Sequence, residues 1–203
     1  MPAQSRTTRR GAGAPRKGDL REQAILDTAE QLLTENGYDT LTIADIAAGA
    51  GITRGALYFY FASKQDVVTA LVARTVEALR EKSRAASSDA ARGGYAIDEA
   101  MARTEALWRQ HGVVMRTAID LASSVPEIDT LWTDTADIFI DAIAAILQHM
   151  NTEPDVTGTD ITGMARALCW MIERSFYQGS RVSEAELGRA RVACTEVWRR
   201  TAR

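Results

Sequence analysis

Beyond Asp19 the chain contains almost nothing that stops a helix. Four prolines serve 203 residues, aromatic residues are sparse, and Ala, Leu, Arg and Glu are abundant, a composition that favours helical backbone. No strand-length stretch alternates apolar and polar residues between turns. The fold class that follows is all-α, with about nine helices. The chain is 46% hydrophobic and 25% charged with a net charge of -3, so it can close one core or two small ones. Wholesale disorder, collagen and a disulfide scaffold are excluded. Cys169 and Cys194 are too few for a disulfide framework, and with only His111 and His149 beside them they make no metal cluster. No metal or cofactor is therefore expected. No window approaches about 18 apolar residues, and arginines followed by Gly, Ala and Pro stand where a signal peptide has its apolar stretch. The expected location is the cytoplasm, with no membrane partner.

Charge is placed unevenly. Met1 to Gly18 holds Arg6, Arg9, Arg10, Arg16 and Lys17 and no acid, whereas from Asp66 onward there are 20 acids against 16 bases. Residues 1–19 read as a flexible basic arm, of a kind that can reach a DNA groove or serve solubility alone. From Leu20 to Glu35 the apolar positions Ile25, Leu26, Ala29, Leu32 and Leu33 follow one helical face, and Asn36-Gly37 supplies a left-handed stop. Thr42-Ile-Ala-Asp45 is a capping box that predicts a short helix from Ile43 to about Ala48, ended by Gly49-Ala50-Gly51. Thr53 caps a third helix to about Tyr60, and Ser63 caps a fourth from Lys64 to Arg84 or beyond. A loop rich in Ala, Ser and Gly over 85–94 then separates a small unit from a larger one. In the larger unit, helices are predicted near Ile97–Arg109, Val113–Ser123, Ile128–Met150, Ile161–Gln178 and Glu184–Arg200. The expected breaks are His111-Gly112, Pro126, the 151–159 segment and Gly179–Ser183.

Two short helices joined by Ala-Gly-Ala-Gly-Ile-Thr have the spacing of a helix-turn-helix, whose second helix enters the DNA major groove. An ordinary helical hairpin has the same outline. However, the second helix carries Thr53, Arg54, Gly55, Tyr58 and Tyr60, polar and aromatic groups that a small three-helix unit cannot bury. Leu57 and Phe61, four apart, supply its core side.

The run Thr42-Ile-Ala-Asp-Ile-Ala-Ala-Gly-Ala-Gly-Ile-Thr-Arg-Gly-Ala-Leu-Tyr-Phe-Tyr-Phe-Ala-Ser-Lys64, continued by Gln65-Asp66-Val67-Val68, resembles the signature of the TetR/AcrR family of regulators. The resemblance implies a DNA-binding unit at residues 20–66, a linking helix to about 85, and a ligand-binding and dimerisation domain over 67–203. It implies a homodimeric repressor that binds a near-palindromic operator in double-stranded DNA and is released by a small, largely apolar effector. Carried over by position, Thr42 and Thr53 match hydroxyls that hold phosphates at helix starts. Tyr58, Tyr60 and Lys64 match backbone-gripping positions. Arg54, Gly55 and Ala56 occupy the exposed start of the recognition helix, with Arg54 the main candidate to pair with guanine. For Tyr58 and Phe59, packing against the following helix is the other reading. A cation at a helix start, as at Lys64, is locally disfavoured and suggests an external anion.

Within the family, Arg21-Glu-Gln-Ala-Ile-Leu, Leu57-Tyr-Phe-Tyr-Phe, Leu131-Trp132, Met171-Ile-Glu-Arg174 and Trp198 are similar to the actinobacterial EthR-type repressors. That likeness implies a channel lined by Met101, Thr104, Trp108, Trp132, Ala136, Phe139, Ile143, Cys169, Ile172, Phe176 and Trp198. A lining of this kind suits an elongated apolar ligand with one or two polar groups. Cys169 and Ile172 stand where those repressors carry two asparagines that anchor a ligand carbonyl, so the ligand chemistry is expected to differ. Glu173 and Arg174 form either a buried pair beside the channel or a surface pair. The last two long helices, with Gly163, Ala165, Ala167, Gly188, Ala190 and Ala193, are implied to make the dimer interface. A DNA-binding dimer with a filled second domain, governed by protein contacts, is the alternative. No nucleophile and base stand out among His111, Asp120 and Glu173, so the chain is not expected to be an enzyme.

Overall fold

The computed structural model describes residues 17–87, 96–150 and 160–201; residues 1–16 of the basic arm, most of the 85–94 segment and the 151–159 loop lie outside them, while residues 17–19, expected in the arm, begin the first helix. Among the described residues there are eight helices: α1 Lys17–Thr40, α2 Ile43–Gly49, α3 Arg54–Leu57, α4 Lys64–Ser87, α5 Ala96–Ala122, α6 Pro126–Met150, α7 Ile161–Val182 and α8 Glu184–Thr201. The backbone of α1 breaks its helical course at Gly37, with φ 77 and ψ 172, a region open to glycine and strained for other residues. The Asn36-Gly37 stop therefore acts where expected.

Local capping sets the next three elements. Thr42 Oγ1 accepts the Asp45 amide at 3.2 Å and donates to Asp45 Oδ2 at 2.6 Å. Thr53 Oγ1 accepts from the Ala56 amide at 3.1 Å, and Ser63 Oγ from that of Asp66 at 3.1 Å. Each bond satisfies an amide that the first helical turn leaves without a partner. The third helix is shorter than expected. It ends at Leu57, and the chain continues through Tyr60 in tight turns in which the Phe59 amide donates to Ala56 and the Tyr60 amide to Leu57.

One expected break is absent, and another is reduced to a single residue, Ser183. α5 runs unbroken through His111-Gly112, so two predicted segments are one helix. Gly112 faces α7 there: a Cβ on it would lie 4.0 Å from the Ser180 Cβ and 3.5 Å from Arg116 Nη1. Similarly, α7 continues to Val182 instead of ending at Gln178. A Cβ on Gly179 would sit 3.0 Å from the Glu186 carbonyl oxygen. Gly179 is small to admit the α8 backbone, whereas a Cβ at Gly112 would meet only ordinary contacts, and neither glycine turns the chain.

Apolar faces close two cores. The first joins Ile25, Leu26, Ala29 and Leu33 of α1 to Ile46, Leu57, Phe61 and the α4 face Val67, Val68, Leu71, Val72 and Val76. Val114, Ala118, Val125 and Ile128 of α5 and the α5–α6 corner cap it. The second core lies among α5, α6, α7 and α8 and reaches α4 at Leu79. Burying each large aliphatic side chain contributes about 1.5–3 kcal/mol, so α4, which is built into both cores, ties them together. Arg74 of α4 adds ion pairs to Asp27 at 2.6 Å and Glu30 at 2.7 Å on α1.

Candidate functional site

Two features of the fold are candidates for function, one on the surface of the α2–α3 unit and one inside the second core. On the surface, Thr42, Thr53, Arg54, Gly55, Ala56, Tyr58 and Tyr60 are all exposed, while Leu57 and Phe61 point inward. The short α3 permits no other division, because one buried residue per turn anchors it and every neighbour faces out. Phe59 is 92% exposed. It does not pack on α4 and is not buried by any described residue, and with the exposed Tyr58 and Tyr60 it makes a contiguous aromatic patch of the kind that marks a contact surface. Asp45 is held by the Thr42 hydroxyl.

Lys64, expected to grip the DNA backbone, also has partners within the chain. Its ammonium donates to the Tyr38 carbonyl at 3.0 Å and lies 4.3 Å from the centre of the Tyr38 ring. That carbonyl lies just past the Gly37 break, so Lys64 pins the end of α1 to the start of α4. An internal acceptor and an aromatic face engage one side of this half-exposed cation.

The second core is hollow. A cavity of about 640 Å³ lies among α4, α5, α6, α7 and α8, within the usual volume range of small-molecule sites. Of the residues expected to line it, Thr104, Trp108, Trp132, Ala136, Phe139, Ile143, Cys169, Ile172 and Trp198 do so. Met101 and Phe176 do not. Both are fully buried in the surrounding core, where Phe176 stacks on Trp108 at a centroid distance of 6.3 Å, so it supports the wall from behind. Missed from the predicted lining were, among others, Leu79 of α4, Glu99, Arg103, Met115, Thr135 and Glu173. The α6 lining from Trp132 to Ile146 recurs at helical spacing and covers roughly 20 Å at 1.5 Å per residue.

The polar groups of the cavity are few. Glu99 and Arg103 form an ion pair at the end level with the start of α5. At the other end Trp132 Nε1 donates to Glu173 Oε2 at 2.8 Å, and four residues away the Cys169 thiol faces the Ala136 carbonyl at 3.9 Å. These two contacts run in opposite directions along the helices, which makes α6 and α7 antiparallel and places Glu173 at the Trp132 end. Burial holds the Glu173 carboxyl above the usual carboxylate range, opposed by the Trp132 hydrogen bond and the Arg174 charge. Glu173 and Arg174 are not a buried pair: Arg174 is exposed and lies over the Tyr177 ring at 5.1 Å. Burial pushes the Cys169 thiol up to about 12, helped by the charges of Glu173 and Asp137, so this sulfur is an inert wall atom. Trp132 also packs against the first core.

On α7 and α8, the outward face carries Ala167, Trp170, Val192, Ala193 and Val197, with Val192 60% exposed. Ala165, by contrast, is buried within the chain's own core, and Gly163 lies under its helix cap at Asp160. The small residues of these helices thus divide between the chain's own core and its exposed surface.

Residues 25–71 match the family described as bacterial regulatory proteins, tetR family. The chain is 30% identical over 192 residues to the HTH-type transcriptional regulator EthR of Mycobacterium tuberculosis, covering 89% of this chain and 85% of that one. It is 32% identical over 146 residues to EthR of Mycolicibacterium smegmatis, covering 71% and 67%. Among solved structures, a TetR transcription regulator from Haloarcula marismortui superposes with a TM-score of 0.71 at 20% identity, over 87% of this chain and 95% of that one. The exposed helix-turn-helix, the two joined cores and these relatives agree, and the chain belongs to the TetR family of bacterial transcriptional regulators.

Proposed function

We propose that this regulator is a homodimeric repressor whose α2–α3 units read a near-palindromic operator and whose 640 Å³ cavity admits a small, largely apolar effector that releases the DNA. Residues 20–66 read DNA, α4 links, and the remainder binds effector and partner. The observation that carries this reading is the course of α4. It starts at Lys64, directly after the exposed recognition segment, packs the first core through Val67 to Val76, and ends as a cavity wall at Leu79. A ligand that moves Leu79 therefore moves the recognition helix through one rigid element, and it shifts the equilibrium by its preference for one head spacing over another.

On DNA, Arg54 pairs with a base edge, Gly55 and Ala56 allow close approach, and Thr42, Thr53, Tyr58 and Tyr60 hold phosphates. Phe59 is suited to a thymine methyl, the apolar feature of the major groove. The exposed Trp170, Val192 and Val197 support a two-fold interface through α7 and α8, which places the recognition helices about 34–36 Å apart or more.

Selection of the full-length protein against random duplexes, with sedimentation of the recovered complexes, tests this reading. Enrichment of inverted half-sites bound by protein dimers is the expected result. Enrichment of single half-sites by monomers overturns the two-fold model, and absence of enrichment removes sequence reading altogether.

A further inference from the structure

We infer that the effector carries a protonated amine on an elongated apolar body, and that Glu173 is the residue that selects it. This rests on the cavity being the effector site and adds the ligand's chemistry. The charged residues of the lining are Glu99, Arg103 and Glu173. Glu99 and Arg103 neutralise each other in an ion pair at one end, so the remaining charge is the negative one at Glu173. The Trp132 indole bonds to Oε2, and no described residue donates to Oε1. Arg174, the adjacent cation in sequence, points to the surface over Tyr177.

A half-buried carboxylate in an otherwise apolar chamber is only partly compensated: the Arg174 charge opposes the shift without forming an ion pair with Glu173, and burial still disfavours the charged form. An ammonium placed against Oε1 restores what burial removed, through a charge-assisted hydrogen bond. The aromatic side chains of Trp108 and Trp132, both in the lining, supply the ring type that attracts a cation. The channel then continues for roughly 20 Å along α6 past Ala136, Phe139 and Ile143, which suits an alkyl or aryl tail. A ligand carboxylate meets the opposite conditions, since the base at hand, Arg103, is already engaged by Glu99. Glu173 also sits where Trp132 touches the first core, so an ammonium that draws on this carboxylate acts beside the junction of the two cores.

The test uses the full-length protein with n-decylamine, n-decanol and n-decanoate as probes, titrated calorimetrically near neutral pH against wild type and Glu173→Gln. The amine is expected to bind wild type about tenfold or more tightly than the alcohol, with the acid weakest. In Glu173→Gln the amine and alcohol should bind alike, and retained alcohol binding shows that the variant is folded. Equal binding of amine and alcohol to wild type, or an amine preference that survives in Glu173→Gln, overturns the selection by Glu173 while leaving the effector site intact. Failure of all three probes to bind wild type overturns the effector-site reading and this inference with it.

Discussion

The bond between Trp132 and Glu173 can be weighed by a double-mutant cycle of Trp132→Phe, Glu173→Gln and the pair. Trp132→Phe keeps a ring against both cores but removes the N–H that donates to Glu173 Oε2 at 2.8 Å. It also loses apolar area, and that loss cancels in the cycle because it appears with either partner at position 173. A hydrogen bond to a charged group contributes about 1.5–3 kcal/mol. The glutamine amide oxygen can still accept from the indole, a neutral bond of about 0.5–1.5 kcal/mol, so the cycle reads the charged excess, and with Glu173 half-buried a coupling of about 0.5–1.5 kcal/mol is expected. The pH dependence has a definite sign. Because burial raises the folded-state pKa of Glu173, the native protein holds its proton at pH values where the unfolded chain has lost it. Stability therefore falls as pH rises from the ordinary glutamate range to the raised native value. Trp132→Phe removes a group that lowers this pKa, so the fall extends to higher pH and the gap to wild type widens across that window. In the Glu173→Gln background the gap is constant. Urea denaturation from about pH 4 to 8 measures all four corners. A coupling indistinguishable from zero, or a gap between wild type and Trp132→Phe that does not change with pH, would refute the claim that this carboxylate is held away from water.

Three further outcomes are expected. Arg54→Ala should lose about 1–3 kcal/mol at one base position while leaving random DNA little affected, whereas Tyr60→Phe should weaken operator and random DNA alike by about 0.5–1.5 kcal/mol; competition binding on both DNAs distinguishes the two, and equal losses for Arg54→Ala remove it from base reading. Gly37→Ala should destabilise the protein by about 1–3 kcal/mol, because the φ of 77 at this position strains a residue with a Cβ, and an unchanged melting curve would show that the α1 break is not fixed there. Cys169, with its thiol pushed up to about 12, should react with an aromatic disulfide reagent at mildly alkaline pH only as fast as the protein opens; rapid modification of the native protein would show an accessible thiolate.

Features that depend on a few neighbouring residues were readable in the chain alone. The caps at Thr42, Thr53 and Ser63, the stop at Gly37 and the split of α3 into a buried Leu57 and an exposed Arg54 all arise from hydrogen bonds or dihedral limits within one turn of the backbone. Such interactions need no partner from elsewhere, so the residue types imply the geometry. The glycines of α5 and α7 show the limit of this logic. Gly112 and Gly179 have the local signature of helix ends, yet each lies within a helix, and at Gly179 the Glu186 backbone comes within 3.0 Å of where a Cβ would stand. Apolar periodicity likewise identified the helix faces of the second domain but could not sort Phe176 from Phe139. A core residue and a cavity-lining residue share the same period, and the distinction depends on whether an opposing side chain fills the space. The same holds for charge. Lys64 has an internal acceptor only because the chain turns back at Gly37 to present Tyr38, and Glu173 faces an indole 41 positions away. Packing at long sequence separation placed those partners, and the pattern of residues around each charge carries no record of them.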